Sequence, residues 1–294
     1  MKNLIVNADD LGWTDGVNRG IAESHRQGLV TSASLLANGR AFAGAIAIAR
    51  DNPALGVGVH LNLSDGVPIA PVDTVRTLLN KSGELQGGPE SFLLQIAKGK
   101  LQLSAVEREW DSQIQKIRDS GIEPTHLDGH KHIHMLPGLF ELAVRLAKKY
   151  RIAAIRISLE ESKLRAMLSK GNNRKSTVRL KQGLQARVLK LLARDARELA
   201  DRAGLASTDY FCGIAQTGIL RREGMEHFLK NLPDGSTELM CHPGYADDQL
   251  RHSPTRLQDS RQSELAILTD AGIRKVVAIG GIRLINFKTL ALGS

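Results

Sequence analysis

Leu4-Ile5-Val6-Asn7-Ala8 is short and mostly apolar, as a buried strand is, and it runs straight into Asp9-Asp10-Leu11-Gly12. Two ionised carboxylates held close together need a cation or a proton to be stable. Capping the next helix would be a simpler use for one of them, but Thr14 and Asp15 are better placed for that. The pair therefore reads as catalytic or metal-binding, at the end of a strand.

Working outward, the same unit recurs. Strand candidates are Leu4–Ala8, Thr31–Leu36, Gly56–Leu63, Thr125–Asp128, Ala153–Ile157, Asp209–Ile214, Glu238–Cys241 and Lys275–Ile279. Between them apolar residues fall at three- and four-residue spacing, as in Val106, Trp110, Ile114 and Ile117, or Leu139, Leu142, Ala143 and Leu146 after Pro137. Ser104-Ala105-Val106-Glu107 has the pattern of a capping box. Strands alternating with helices predict an α/β fold with parallel strands, and eight of them predict a distorted, TIM-like (β/α) barrel. Its active site would lie at the C-terminal rim of the strands. With no linker and no solenoid repeat, residues 1–294 are expected to form one domain.

Polar residues gather at those strand ends. Asn38 follows the second strand, His60 closes the third, and Asp128 and His130 follow the fourth; Arg156 ends the fifth and His242 follows the seventh. A histidine in an apolar strand such as Gly58-Val59-His60-Leu61-Asn62-Leu63 is usually a core residue; on this rim it becomes a candidate ligand. In Thr125-His126-Leu127-Asp128-Gly129-His130-Lys131-His132-Ile133-His134, alternation would put His126, Asp128 and His130 on one side if the strand continued. A catalytic zinc keeps a position open and takes about three protein ligands, so the remaining imidazoles would orient ligands or bind substrate. His242, before Pro243-Gly244, is either a turn residue or part of the site. The chain has no His-Glu-x-x-His helix, Walker loop or Gly-x-Ser-x-Gly elbow, and Gly280-Gly281 is too little for a phosphate cradle.

Composition narrows the class. The chain is 42% hydrophobic, 24% charged and 4% aromatic over 294 residues, as expected of a soluble globular protein. No apolar run spans a bilayer, and Asp9 and Asp10 interrupt the start too early for a signal peptide. Two cysteines, Cys212 and Cys241, suit a reducing cytoplasm. The formal charge of +9 is local: between Lys163 and Arg202, twelve Lys and Arg face only Asp195, Glu198 and Asp201, which is the whole excess.

Asn7-Ala8-Asp9-Asp10-Leu11-Gly12, Gly58 to Leu63, Thr125 to His134 and His242-Pro243-Gly244 together resemble the YdjC-like carbohydrate deacetylases, in order across nearly the whole chain. That family includes chitooligosaccharide deacetylases (ChbG) and hopanoid-biosynthesis deacetylases (HpnK). Leu11 stands where many members have Phe, and Lys131 where some have His. The resemblance implies one divalent metal ion, Zn or Mg, held by Asp10, His60 and His130, with Asp9 as general base. It implies a hydrolase that removes the acetyl group of an N-acetylglucosamine-type amino sugar. Asp128 to His134, Phe211 to Gly218 and Arg283 to Asn286 look more like the hopanoid branch, whose substrate is a glycolipid headgroup. Metal-assisted amide hydrolysis suits these residues: His242 would protonate the leaving amine, and Arg156 would hold a sugar hydroxyl or steady Asp9. Asn38, His126, Asp128 and His132 are left to bind substrate or support ligands.

Leu180, Leu184, Val188, Leu191, Leu192, Leu199 and Ala203 trace one side of a helix with Lys181, Arg187, Lys190, Arg194 and Arg197 around the rest. It is either an ordinary barrel helix with a solvated basic face or a basic insertion or lid at about 160–205. A lid of this charge would meet anionic membrane, placing the protein in the cytoplasm and at the inner membrane face. A homodimer is compatible with this reading. The alternatives are a soluble chitooligosaccharide deacetylase, another metal-dependent amide hydrolase, or a basic nucleic-acid-binding protein. Few aromatics and no RNA-binding signature weigh against nucleic acid.

Overall fold

The computed structural model describes residues 1–170, 195–253 and 255–293. Strand β1 (Lys2–Leu11) is its axis and is buried from Leu4 onward, as suits a strand covered on both faces. Beside it run β2 (Ser32–Leu35), β3 (Gly56–Leu61) and β4 (Leu127–Gly129) on one side, with β6 (Gly235–Cys241) and β5 (Tyr210–Cys212) on the other. All pairings are parallel. The sheet curls into a half-barrel with helices around it. Residues 153–161 span the open side through single bridges, Leu127 to Ile155, Ala154 to Ala206 and Glu160 to Phe211. The expected strand Ala153–Ile157 is thus a chain of bridges rather than a ladder.

The eighth expected strand is a correction. Lys275–Ile279 belongs to the helix Ala271–Ile279, capped by Asp270, whose side chain accepts the Ile273 N–H. Ile273 and Val277, four apart, are its buried side, whereas Ile279 is 88% exposed. The true last strand is β7 (Arg283–Leu284), which shares an edge of β1 with β2: it pairs at Asn3 and Leu4, and β2 takes over at Asn7.

Thr14 caps the helix Asp15–Gln27 as expected, accepting the Val17 N–H. The capping box at Ser104 does not form, because the helix Leu103–Asp119 starts two residues earlier than that cap requires, with Gln102 at its N-cap and Ser104 inside it. That helix buries Val106, Trp110, Ile114 and Ile117 against the sheet and carries two buried polar residues as well. Gln113 clasps the backbone of Asn62 at both N–H (2.9 Å) and C=O (2.7 Å), and Glu109 accepts the N–H groups of Ile69 and Ala70. The loop after β3 is thereby fixed to the body of the fold. Of the expected insertion at about 160–205, Ser162–Leu168 and residues 195–202 are helical. Lys181, Arg187, Lys190 and Arg194 lie outside the described residues.

Candidate active site

A single irregularity in β1 makes the site. Ala8 pairs with Ala33 and Leu11 with Leu35, so Asp9 and Asp10 together oppose only Ser34. This is a β-bulge, and it puts Asp10 in the left-handed region at φ 71°, uncommon for a residue with a side chain. Successive residues of a regular strand face opposite ways. Through the bulge both carboxylates reach one pocket of about 450 Å³ at the C-terminal ends of the strands, with His60, His130, His132 and His242.

The Asp10 carboxylate is shared between two neighbourhoods. Arg261 donates to Oδ2 at 2.6 Å. Oδ1 is buried and accepts no aligned hydrogen bond from the described residues, yet His130 Nδ1 stands 3.1 Å from it and His60 Nε2 3.6 Å. The two imidazole nitrogens are 3.3 Å apart. Each ring has a carboxylate behind it: His60 Nδ1–H donates to Asp128 at 2.8 Å, and His130 Nε2 lies 3.3 Å from Asp65. The other nitrogen of each ring thus faces Asp10, where it could give its lone pair to a cation, the arrangement that carboxylate–histidine pairs give a metal ligand. Ligands at the roughly 2.0–2.2 Å bond lengths of zinc and magnesium stand about 2.8–3.6 Å apart at tetrahedral or cis-octahedral angles. The triangle fits such an ion, and the orphaned Oδ1 is what a cation would satisfy.

A second cluster, Asp9 with His60 and Asp128, also brings its ligand atoms within reach of one another. It already has its cation. Arg156, wholly buried, donates to both oxygens of Asp9 (2.9 and 2.7 Å) and to Glu238 (2.8 Å), and its guanidinium is 2.7 Å from Asp128. Burial alone would raise the Asp9 and Asp128 carboxyls, but the Arg156 charge overrides it and holds both below the ordinary range. Burial wins at Glu238, pushed up to about 7 against the same arginine. Burial also opposes charge on His60; the Asp128 carboxylate, with Asp9 and Asp10, nonetheless pushes it up to about 9 without a metal. The centre is therefore rich in negative charge that two guanidinium groups do not balance.

A family model described as YdjC-like protein matches residues 3–278. The chain belongs to the YdjC-like family. It is 32% identical over 288 residues to a carbohydrate deacetylase of Geobacillus stearothermophilus, covering 98% of this chain and 97% of the relative. It is also 32% identical over 291 residues to a chitooligosaccharide deacetylase of Enterobacter sp. strain 638, covering 98% and 99%. Among solved structures it resembles a protein of Enterococcus faecalis V583, provisionally described as a cellobiose-phosphate cleavage protein. There the TM-score is 0.77 at 28% identity, over 98% of both chains.

In this YdjC-like chain the histidine tract is dispersed by its own backbone. After β4 ends at Gly129 the chain turns, with Lys131 and His132 both left-handed (φ 54° and 58°). His130 therefore enters the pocket beside Trp13, ring centres 5.2 Å apart, and His132 lines the pocket with Nδ1 2.9 Å from the Ser158 hydroxyl. His134 turns away and donates to the Arg156 carbonyl at 3.1 Å. His126 is wholly buried away from the pocket lining, stacked at 3.9 Å on Phe287, and burial lowers it to about 3. Strand alternation does not join His126 to His130, because β4 stops between them. His242 lines the pocket with its buried Nδ1 unpartnered among the described residues; burial lowers its pKa, so it is neutral at pH 7. Asn38 lies outside this pocket and donates to the carbonyls of Asp65 (2.9 Å) and Val67 (3.2 Å).

Several contributors escape sequence reading. Glu238 had a faint signal, a lone acid in an apolar strand. Arg261 had none: it sits in the helix Asp259–Thr269 like any surface arginine, yet is 1% exposed. Glu264, one turn on, accepts the His242 N–H at 2.6 Å and so fixes that turn.

Proposed function

We propose that the chain is a metal-dependent hydrolase that removes the N-acetyl group of an N-acetylglucosamine-type amino sugar. The observation that carries the reading is the convergence of Asp10 Oδ1, His60 Nε2 and His130 Nδ1 with charged groups behind each. These residues would hold one divalent ion, Zn or Mg, open to the pocket. The names of the relatives supply the substrate class. Bound there, such an ion would supply Lewis-acid chemistry, making water more acidic and the amide carbonyl more electrophilic.

The chain's own residues do the rest. Asp9 is ionised at neutral pH and takes the proton of the attacking water; Arg156, with every polar edge engaged by carboxylates, steadies it rather than binding sugar. Asp128 orients His60 as second support, with His126 behind it through Ser34. His132 stands on the wall where substrate enters, and Asn38 holds the loop that carries Asp65. His242 protonates the leaving amine, and because it is neutral at rest the proton it gives is one taken up during the reaction. Acetate release from a panel of N-acetylated amino sugars tests this. Chelation should abolish release and added Zn or Mg restore it; release untouched by chelation would contradict it.

Residues 1–294 act, in this reading, as one cytoplasmic domain. Two walls of the pocket, Ile214 and Thr217, belong to the stretch Phe211 to Gly218 that is most like the hopanoid branch, which favours a membrane glycolipid headgroup. The basic segment would then meet anionic lipid at the inner membrane face. Turnover of a membrane glycolipid should exceed that of a short soluble N-acetylglucosaminyl compound and fall with salt; the reverse preference would favour a soluble chitooligosaccharide. No helix among the described residues is long and apolar enough to cross a membrane.

A further inference from the structure

The pocket has a polar half and an apolar half. Asp10, His60 and His130 come from β1, β3 and the turn after β4. Met240, near the end of β6, and Ile214, just after β5, line it from the other half of the sheet, across β1. Leu257, ahead of the helix Asp259–Thr269, joins them. These three are buried, whereas Trp13 and Pro89, the other apolar residues of the lining, are half-buried.

Strand register fixes where Met240 points. It pairs with Asn7, and residues paired across a ladder raise their side chains on the same face. The Asn7 side chain donates to Asp9 at 2.9 Å, and Glu238, two residues before Met240, accepts from Arg156, which also holds Asp9. Met240 is therefore an apolar side chain beside the carboxylate that takes the water proton. Ile214 is rooted next to it and held stiffly. A Cβ on Gly213 would strike the Met240 carbonyl oxygen and stand 3.2 Å from the Met240 Cβ, so a glycine is needed for this approach. The N–H groups on either side of Ile214, those of Gly213 and Ala215, donate to Glu160 at 3.0 and 3.2 Å. Glu264 pins the far end of the loop by accepting the Gly218 N–H at 3.1 Å.

We propose that Met240 and Ile214 seat the methyl of the scissile acetyl group and so set the length of acyl chain that is removed. The amide carbon carries an oxygen, a nitrogen and the methyl. The oxygen belongs towards the triad of Asp10, His60 and His130, and the nitrogen towards His242, which leaves the methyl to the apolar half. A buried wall on a pinned loop yields little to a longer chain, because overpacking a fixed site is costly. This rests on the amide-hydrolase reading of the site.

N-acetylglucosamine and N-butyrylglucosamine would release the same amine, so one assay of free glucosamine compares them. Wild type should favour the acetyl compound in kcat/KM by at least about tenfold, the scale on which an apolar pocket discriminates methylenes. Met240→Ala opens the wall and should cut that ratio by at least about tenfold, and Ile214→Ala should move it the same way. Leu239→Ala is the control. It shortens an equally buried side chain on the opposite face of β6, and should leave the ratio unchanged even where it costs stability. Circular dichroism confirms folding, and if Met240→Ala does not fold, Ile214→Ala decides alone. Calorimetric titration with the two sugars reads the acyl preference without turnover. An unchanged ratio in the folded pocket variants, or an equal shift in Leu239→Ala, overturns the acyl seat while glucosamine release keeps the hydrolase. An acetyl preference in binding that the pocket variants relax and Leu239→Ala keeps, with no glucosamine released, would leave the seat standing and refute the hydrolase.

Discussion

Replacing Arg156 by Met tests the electrostatic frame behind the site. The arginine is wholly buried and serves Asp9 with two bonds, Asp128 at 2.7 Å and Glu238 at 2.8 Å. Met keeps much of the volume but leaves those carboxyls without a counter-charge. Breaking a buried pair by removing one partner costs about 3–5 kcal/mol. For a chain of this length that is a fall in melting temperature of about 5–8 °C. The loss should depend on pH in a defined direction. In the native protein Asp9 and Asp128 are held below the ordinary carboxyl value of 3.8, so their contribution is present above that pH and is lost only as pH falls through their lower folded pKa values. Without Arg156, burial raises both above the unfolded value. The folded variant then binds protons that the unfolded chain has shed, and its stability falls as pH rises above about 4. Urea unfolding of chelated wild type and variant at pH 5 and pH 8 reads this out, with the larger difference expected at pH 8. A loss below about 1 kcal/mol at pH 8, the scale of an exposed pair, or one that does not shrink at pH 5, would refute the reasoning.

Asp9→Asn keeps shape but cannot take a proton as a carboxylate does. Metal content should be unchanged while kcat falls by about 10²–10⁴-fold; loss of metal instead would exchange the roles of Asp9 and Asp10. Arg261→Gln removes the 2.6 Å clamp on Asp10 Oδ2 while leaving the three ligands. Competition with a chromophoric chelator should show metal affinity reduced by about 10–100-fold, the usual cost of removing an outer support, and an unchanged affinity would show that Arg261 only fills space.

Much of this site was legible because a parallel α/β sheet aligns the C-terminal ends of its strands. Residues far apart in sequence, Asp10, His60 and His130, come to one rim for that reason. The unread parts depend on tertiary contacts. Nothing in Asn7-Ala8-Asp9-Asp10 announces that β1 bulges, and without the bulge the two acids would face opposite ways. The histidine tract could not be divided between pocket and core, because the division rests on the left-handed turn at Lys131 and His132. Lys275–Ile279 shows the converse failure: a β-branched run looks like a strand until the four-residue spacing of Ile273 and Val277 is seen to be its buried side. Arg261 is invisible for the plainest reason, since its partner Asp10 is 251 residues away.

The most direct measurement is metal content. Protein purified without added metal is analysed for bound divalent ions alongside Asp10→Ala, His60→Ala and His130→Ala, with circular dichroism to confirm that each is folded. Wild type should hold close to one zinc or magnesium ion per chain, or take up one on titration, and each variant should hold markedly less and release correspondingly less acetate. Full metal content in all three folded variants would contradict the site.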